Sequence, residues 1–204
     1  MLGSHIIAQP IIQNSSTNEG NSPNAKIKKP SGVQNGDLLV IGLMFEKGSG
    51  EGITHPTGWL PIRSTNNGSD IGMASYYKIA GSSEPNNYFF ALKNGSKWAI
   101  GITRISGAAT ASPAEASAGS TGEGANVTAP SITTLGDNRL LLCLYSNKKY
   151  ATFKAHGATK EQYDDPFDKG GLPSNMMAST MKATAGSTGN MDAQASEKEK
   201  WVGQ

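Results

Sequence analysis

The sequence predicts an all-β chain: an antiparallel two-sheet sandwich, jelly-roll-like, built from two sequence-related halves. Three observations carry that expectation. Apolar residues rarely recur at three-four spacing, and 25 glycines interrupt the 204 residues, so helical patterning is weak. Short apolar or alternating runs are separated by Asn-Gly and Gly-Asp turns such as "QNGD", "NNGSD" and "KNGS". The order of those runs then repeats about a hundred residues further on.

Composition narrows the function classes. Hydrophobic residues make up 36% and charged residues 17%, the balance being Gly, Ser, Thr, Asn and Ala, which suits short strands and small-residue loops. The net charge is +2 without a basic stripe: "KIKK" at 26–29 and "NKK" at 147–149 are short and far apart. Nucleic-acid binding needs a denser footprint and is not expected. Cys143, the single cysteine, rules out an internal disulfide and lies in the apolar run "LLLCLY", where it reads as a buried, inert thiol. The start lacks the basic region and apolar core of a secretory signal, and no apolar run reaches the roughly 18 residues of a membrane span, so membrane insertion is not expected.

Taken in order, residues 1–30 read as an N-terminal arm, or a disordered segment, that orders on a neighbouring subunit or frays. Residues 31–204 read as the sandwich, with halves 31–106 and 135–204 joined by a Gly/Ala/Ser/Thr-rich crossover, 107–134. "DLLVIGLMF" (37–45) is a continuous apolar run long enough for a buried strand. "GMASYYKIA" (72–80) alternates, sending Tyr76 and Tyr77 to opposite faces. "NYFFALK" (87–93) and "KWAIGITRIS" (97–106) read as two strands of a hairpin turning at "KNGS". "RLLLCLYS" (139–146) repeats the buried-strand look.

The repeat sets "NGDLLVIGLMF" against "LGDNRLLLCLY", Met73 onward against Met177 onward, Trp98 against Trp201, and "HPTGW" against "HGATK", hence His55 against His156. Two halves of one plan bury their apolar faces on each other; two small tandem sandwiches, each with its own core, are the alternative. After Trp98 the chain continues "AIGITRIS", whereas after Trp201 it runs only to Gln204. The last strand therefore reads as cut short, by truncation or by an edge left for a partner to fill.

"GITHPTGWLPI" (52–62) gathers a histidine, two prolines and a tryptophan. Pro56 holds His55 extended, Gly58 frees the turn before Trp59, and Pro61 suits only an edge or irregular strand. The motif is a stiff turn that fixes one large aromatic, either packed on the strand from Asp37 or offered to a ligand. "GDLLVIG", "HPTGWLPI", "SYYKIAGSSEP" and "NYFFAL", in that order, resemble a family of bacteriophage virion proteins from tail, tail-fibre and other structural genes. The resemblance covers roughly residues 30–204 and is stronger in the first half. Two departures stand out: the family has Pro where His55 stands, and "STMKATAG" replaces the tyrosine strand in the second half. The resemblance implies an all-β, non-enzymatic part of the particle and carries no catalytic residues.

Candidate chemistry is sparse. "YDDPFD" offers Asp164, Asp165 and Asp168 near His156, but no EF-hand register, and reads as an acidic surface loop. G-x-S-x-G, H-E-x-x-H and P-loop patterns do not occur, and "GSGEG" (48–52) and "GSTGEG" (119–124) read as mobile loops. Glu84 reads as a turn cap, and Asp37 and Asp137 as acceptors of backbone bonds at strand entrances. The expectation is a virion component in tail, tail fibre or capsid decoration, a homo-oligomer contacting other virion proteins, with no cofactor, metal or catalytic residue. The alternative is a module binding a host-surface glycan, for which Trp59, Tyr76, Tyr88 and His55 are the candidate ligand or partner surface. A polysaccharide-degrading enzyme, the third reading, has no visible constellation behind it.

Overall fold

The computed structural model describes residues 9–165 and 172–204. The strands in chain order are β1 (Ile11–Lys28), β2 (Leu38–Glu46), β3 (Ile53–Thr54), β4 (Leu60–Asn67), β5 (Ile71–Ile79) and β6 (Asn87–Ser106). They continue with β7 (Ser120–Ala129), β8 (Thr133–Thr134), β9 (Arg139–Asn147), β10 (Phe153–Lys154), β11 (Lys160–Asp165), β12 (Ser174–Lys182), β13 (Gly186–Ser187) and β14 (Met191–Gly203). One six-stranded sheet has the order β1-β6-β2-β5-β4, with β3 also on β6. The other has the order β10-β14-β9-β12-β11, with β7 also on β14. β8 and β13 make a small separate pair, and all of these pairings are antiparallel.

The two large sheets pack on each other as a sandwich, as the sequence predicts. Each large sheet belongs to one half of the chain, so strands are not exchanged between the halves as in a jelly roll. β2 shows why its sequence is apolar without a break. Leu39, Ile41, Leu43 and Phe45 enter a core of the first half, whereas Leu38, Val40 and Met44 face the opposite sheet. β9 repeats this: Leu141, Cys143 and Tyr145 enter a core of the second half, and Leu144 faces the first sheet. Three clusters therefore hold the molecule, one within each half and one between them. The shared interior of the one-sandwich expectation is present, and each half has a core of its own besides.

The sheet-to-sheet layer is keyed by shape. Gly42 and Gly101 stand opposite each other in β2 and β6. The buried ring of Tyr163, from β11, lies over them: a Cβ on Gly101 would sit 2.2 Å from Tyr163 Cζ, and one on Gly42 3.3 Å from its Oη. Polar ties cross the same layer. Asn175 Nδ2 donates to the Gly42 carbonyl at 2.8 Å, Ser75 Oγ to Gln204 Oε1 at 2.7 Å, and Gln204 Nε2 to the Met73 carbonyl at 3.0 Å. At one end of the sandwich Lys148 and Lys200 of the second half both donate to Asp70 of the first.

Three features differ from the sequence expectation. Residues 11–28, read as part of an arm, form β1, which pairs with β6 along nearly its whole length. The 87–106 stretch is one strand: Asn94 and Gly95 bulge out opposite Pro23, and both limbs stay on β1. Pro23 has no N–H to offer the ladder, so the irregularity falls there. Residues 120–129, placed in the crossover and partly read as a mobile loop, form β7 on β14. Trp201, Val202 and Gly203 lie between β7 and β9, and Gln204 exchanges backbone bonds with Leu144 at 2.8 and 2.9 Å.

Candidate functional site

The "HPTGW" turn closes with a Trp59 N–H to Pro56 carbonyl bond of 3.3 Å, and Gly58 takes φ +85. The turn drives Trp59 inward. Its ring meets Tyr88 edge-on at 5.1 Å and Phe90 at 5.6 Å, and Tyr76 lies 5.2 Å from Phe90. Of the four residues expected to form a ligand or partner surface, three are therefore core: Trp59 is 1% exposed, Tyr88 3% and Tyr76 7%. The reason is β6, whose first limb folds over the turn and covers the rings. Only His55 is exposed, its ring tilted 5.4 Å from that of Tyr76. Pro61 is the second residue of an edge strand, with a register shift after it, as expected.

Glu84 caps its turn as the sequence indicates. It accepts the Gly81 N–H at 2.7 Å, Lys78 Nζ at 2.8 Å and the Tyr88 hydroxyl at 2.7 Å. Burial pushes its carboxyl up, but Lys78, the Gly81 N–H and Tyr88 outweigh that and the net shift is downward. Asp37 accepts the Gln34 N–H at 2.7 Å and Arg104 Nε at 2.6 Å. Asp137 accepts the Ala185 N–H at 2.8 Å. The "GSGEG" stretch also has a structural task. It forms a 3-10 turn at Gly48–Gly50, where Glu51 accepts the Asn94 N–H at 2.8 Å while Lys47 donates to the Asn94 and Gly95 carbonyls of the β6 bulge.

The histidines of the repeat do not coincide. The turn bond from Trp59 to Pro56 has its counterpart in one from Thr159 to His156, so His156 corresponds to Pro56 and His55 to Ala155. Asp164 and Asp165 are consecutive on β11 and therefore project to opposite faces; Asp168 lies outside the described residues. Among the described residues no group of three His, Cys, Asp or Glu gathers to hold a metal ion, and no helix is long and apolar enough to cross a membrane. Cys143 is 2% exposed, and burial lifts its thiol to about 11.

Two carboxyls give the protein a defined acid response. Burial raises Asp164 from 3.8 to about 6, although it accepts the Phe153 N–H. Hydrogen bonds from Lys148 and Lys200 lower Asp70 from 3.8 to about 2. The Asp164 contribution is complete below 3.8 and is lost as pH rises through about 6; the Asp70 contribution is present above 3.8 and is lost as pH falls through about 2. Urea midpoints measured against pH are expected to show both limbs. Asp164→Asn should flatten only the limb above 3.8 and add about 1 kcal/mol at pH 7, a figure discounted for its partial solvent contact. Asp70→Asn should flatten only the other. A midpoint profile unchanged by both would contradict these assignments.

One concavity was not located by sequence reasoning. A cavity of 580 Å³ opens between β9 and the 107–118 segment. Leu140 and Leu142 line it from one side of β9, Leu141 and Cys143 from the other, with Leu38 and Ile105 of the first sheet opposite. Its volume falls within the roughly 300–1,000 Å³ of binding clefts. Glu115 tethers the overlying segment by accepting Arg139 Nε at 2.9 Å and the Leu135 N–H at 3.1 Å, and Arg63 Nη2 donates to the Ser117 carbonyl at 2.6 Å. Comparison with protein families, with curated proteins and with solved structures finds no match.

Proposed function

We propose that this chain is a non-enzymatic structural component of a bacteriophage particle, in tail, tail fibre or capsid decoration, acting through contacts with other virion proteins. The observation that carries the reading is the use made of the motif residues on which the resemblance to virion proteins rests. Asp37 fastens the start of β2 to Arg104, Trp59 fills the core of the first half, and Glu84 ties Lys78 to Tyr88. These are scaffold roles. A motif of that kind marks a common architecture, and it leaves function to the outer surfaces and strand edges. Reading the same residues as a glycan platform requires exposed rings, and Trp59, Tyr76 and Tyr88 are covered.

The test is composition of the particle. Density-banded virions, analysed by quantitative mass spectrometry and labelled with antibody to this chain, are expected to hold it in fixed copy number at one location. Loss of the chain on banding would refute the proposal. Light scattering of the isolated protein is expected to report a homo-oligomer.

A further inference from the structure

The repeat allows one face of the molecule to be compared with its own counterpart. Lys26 and Phe89 stand opposite each other in β1 and β6, six residues after Gly20 and nine before Trp98, which are themselves a pair. Thr128 and Asp192 hold the same places in β7 and β14, six after Gly122 and nine before Trp201. The neighbouring pairs, Ala25 with Phe90 and Val127 with Ala193, are buried in the cores of their halves. By alternation Lys26–Phe89 and Thr128–Asp192 point outward. In the second half that face closes on itself. Thr128 Oγ1 donates to Asp192 Oδ1 at 2.6 Å, and one row further on Gln194 Nε2 donates to Asn126 Oδ1 at 2.7 Å. In the first half the same rows are Lys26–Phe89 and Asn24–Ala91, which cannot close in this way because Phe89 and Ala91 carry no polar side-chain group. The strand pairing therefore does not require a ring at this place, yet Phe89 stands on it 51% exposed.

Cations surround that ring. Lys26 is its cross-strand neighbour, Lys28 lies two residues along β1, and Lys93 lies four residues along β6, all on the outward face. The three lysines are exposed, and among the described residues no carboxylate pairs with them. Glu51 and Glu84, the acids that precede β3 and β6, are engaged elsewhere: Glu51 by the Gly52 and Asn94 N–H groups, Glu84 by Lys78, Tyr88 and the Gly81 N–H. Two short polar residues, Asn24 and Thr54, stand on either side of Ala91. We infer that this face binds an acidic polysaccharide, with a sugar ring laid on Phe89, its carboxylate or sulfate groups on Lys26 and Lys28, and its hydroxyls on Asn24 and Thr54. Charge complementarity selects an anion. The exposed ring selects one with an apolar side, which the C–H face of a pyranose supplies. An added peptide strand would draw on unpaired main-chain groups, whereas β1 and β3 occupy both sides of β6 at Ala91. A nucleic-acid strand would call for several rings and a longer basic track. Trp59, Tyr76 and Tyr88 take no part, and the face is present whether or not the chain belongs to a virion.

The probes are two hexasaccharides, one of galacturonic acid and one of a sulfated glycosaminoglycan, titrated at low salt into the unaltered protein with its backbone amides followed by NMR. At least one is expected to shift the amides of Lys26, Lys28 and Phe89 saturably while leaving those of Thr128 and Asp192 in place. Methyl-esterifying the galacturonate carboxyls should weaken its binding at least about threefold. Phe89→Ala, a change at an exposed position that should barely move Tm, is expected to weaken binding about three- to tenfold. The double variant Lys26→Gln, Lys28→Gln should weaken it by about the same factor and remove most of its salt dependence. Absence of saturable shifts with both hexasaccharides would overturn the inference, and so would undiminished binding by Phe89→Ala. Three further results would overturn it by naming a different occupant. Equal or tighter binding of a glutamate hexapeptide assigns the face to an acidic protein, and equal or tighter binding of a thymidine oligonucleotide assigns it to nucleic acid. Shifts at these amides that grow with protein concentration alone assign it to a second copy of the chain.

Discussion

Gly101→Ala is expected to destabilise the protein by about 1–3 kcal/mol, a loss out of proportion to one methyl group. For a chain of this size that is about 3–10 °C in Tm. The backbone does not resist the change, since Gly101 is not among the glycines with positive φ. The obstacle is across the sandwich: the new Cβ would stand 2.2 Å from Tyr163 Cζ and 2.5 Å from its Oη. Tyr163 cannot swing aside freely, because it is 8% exposed and packed in the cluster between the sheets. Tyr163→Ala should cost about 3–5 kcal/mol by leaving a ring-sized cavity. The decisive measurement is the double-mutant cycle. In the Tyr163→Ala background the methyl at 101 has room, and alanine is the better strand residue by about 0.5–1 kcal/mol. Gly101→Ala should then become neutral or stabilising, so the coupling has the sign of a relieved clash. Additive losses in urea titrations would mean that Tyr163 does not key the two sheets together.

The same pair of glycines shows where the sequence was legible and where it was not. β2 and β9 were readable because each is buried on both faces, so their apolar runs are unbroken. β5 was readable from its alternation. β1 and β7 were not, since most of their side chains are partly or wholly exposed and they contribute chiefly main-chain pairing to β6 and β14. Hydrophobic periodicity is silent about such strands. A weaker signal was available: "STNEG" at 16–20 and "STGEG" at 120–124 share four of five letters. The Asn94-Gly95 bulge was misread as a hairpin because the turn chemistry is the same; what differs is β1, a distant segment that pairs with both limbs. The role of Trp59 was legible as a choice between packing and ligand contact, and only the cover of Tyr88 and Phe90 resolves it toward packing. The groove beside β9 was not legible, because its walls come from both sheets and no local pattern describes them.

Trp59→Ala is expected to cost about 3–5 kcal/mol, because it empties the centre of the first-half core. The ring is 1% exposed and meets Tyr88 and Phe90 edge-on, at interplanar angles of 81° and 68°. Those contacts favour the packed ring beyond its buried area. Trp59→Phe separates the contributions of ring and N–H. The indole Nε1 is buried and has no hydrogen-bond partner among the described residues. Losing that N–H therefore removes no bond and relieves a buried polar group. The phenyl ring keeps much of the apolar contact, so Trp59→Phe should cost about 1–2 kcal/mol, less than the alanine loss. Lys78 and Glu84 should stay tied to Tyr88 in the phenylalanine variant, since their contacts do not involve the indole. Heat and urea denaturation of both variants checks this ordering. A tryptophan held at the surface for a ligand would instead tolerate alanine within about 0.5 kcal/mol, and that outcome would return the "HPTGW" turn to the list of binding motifs.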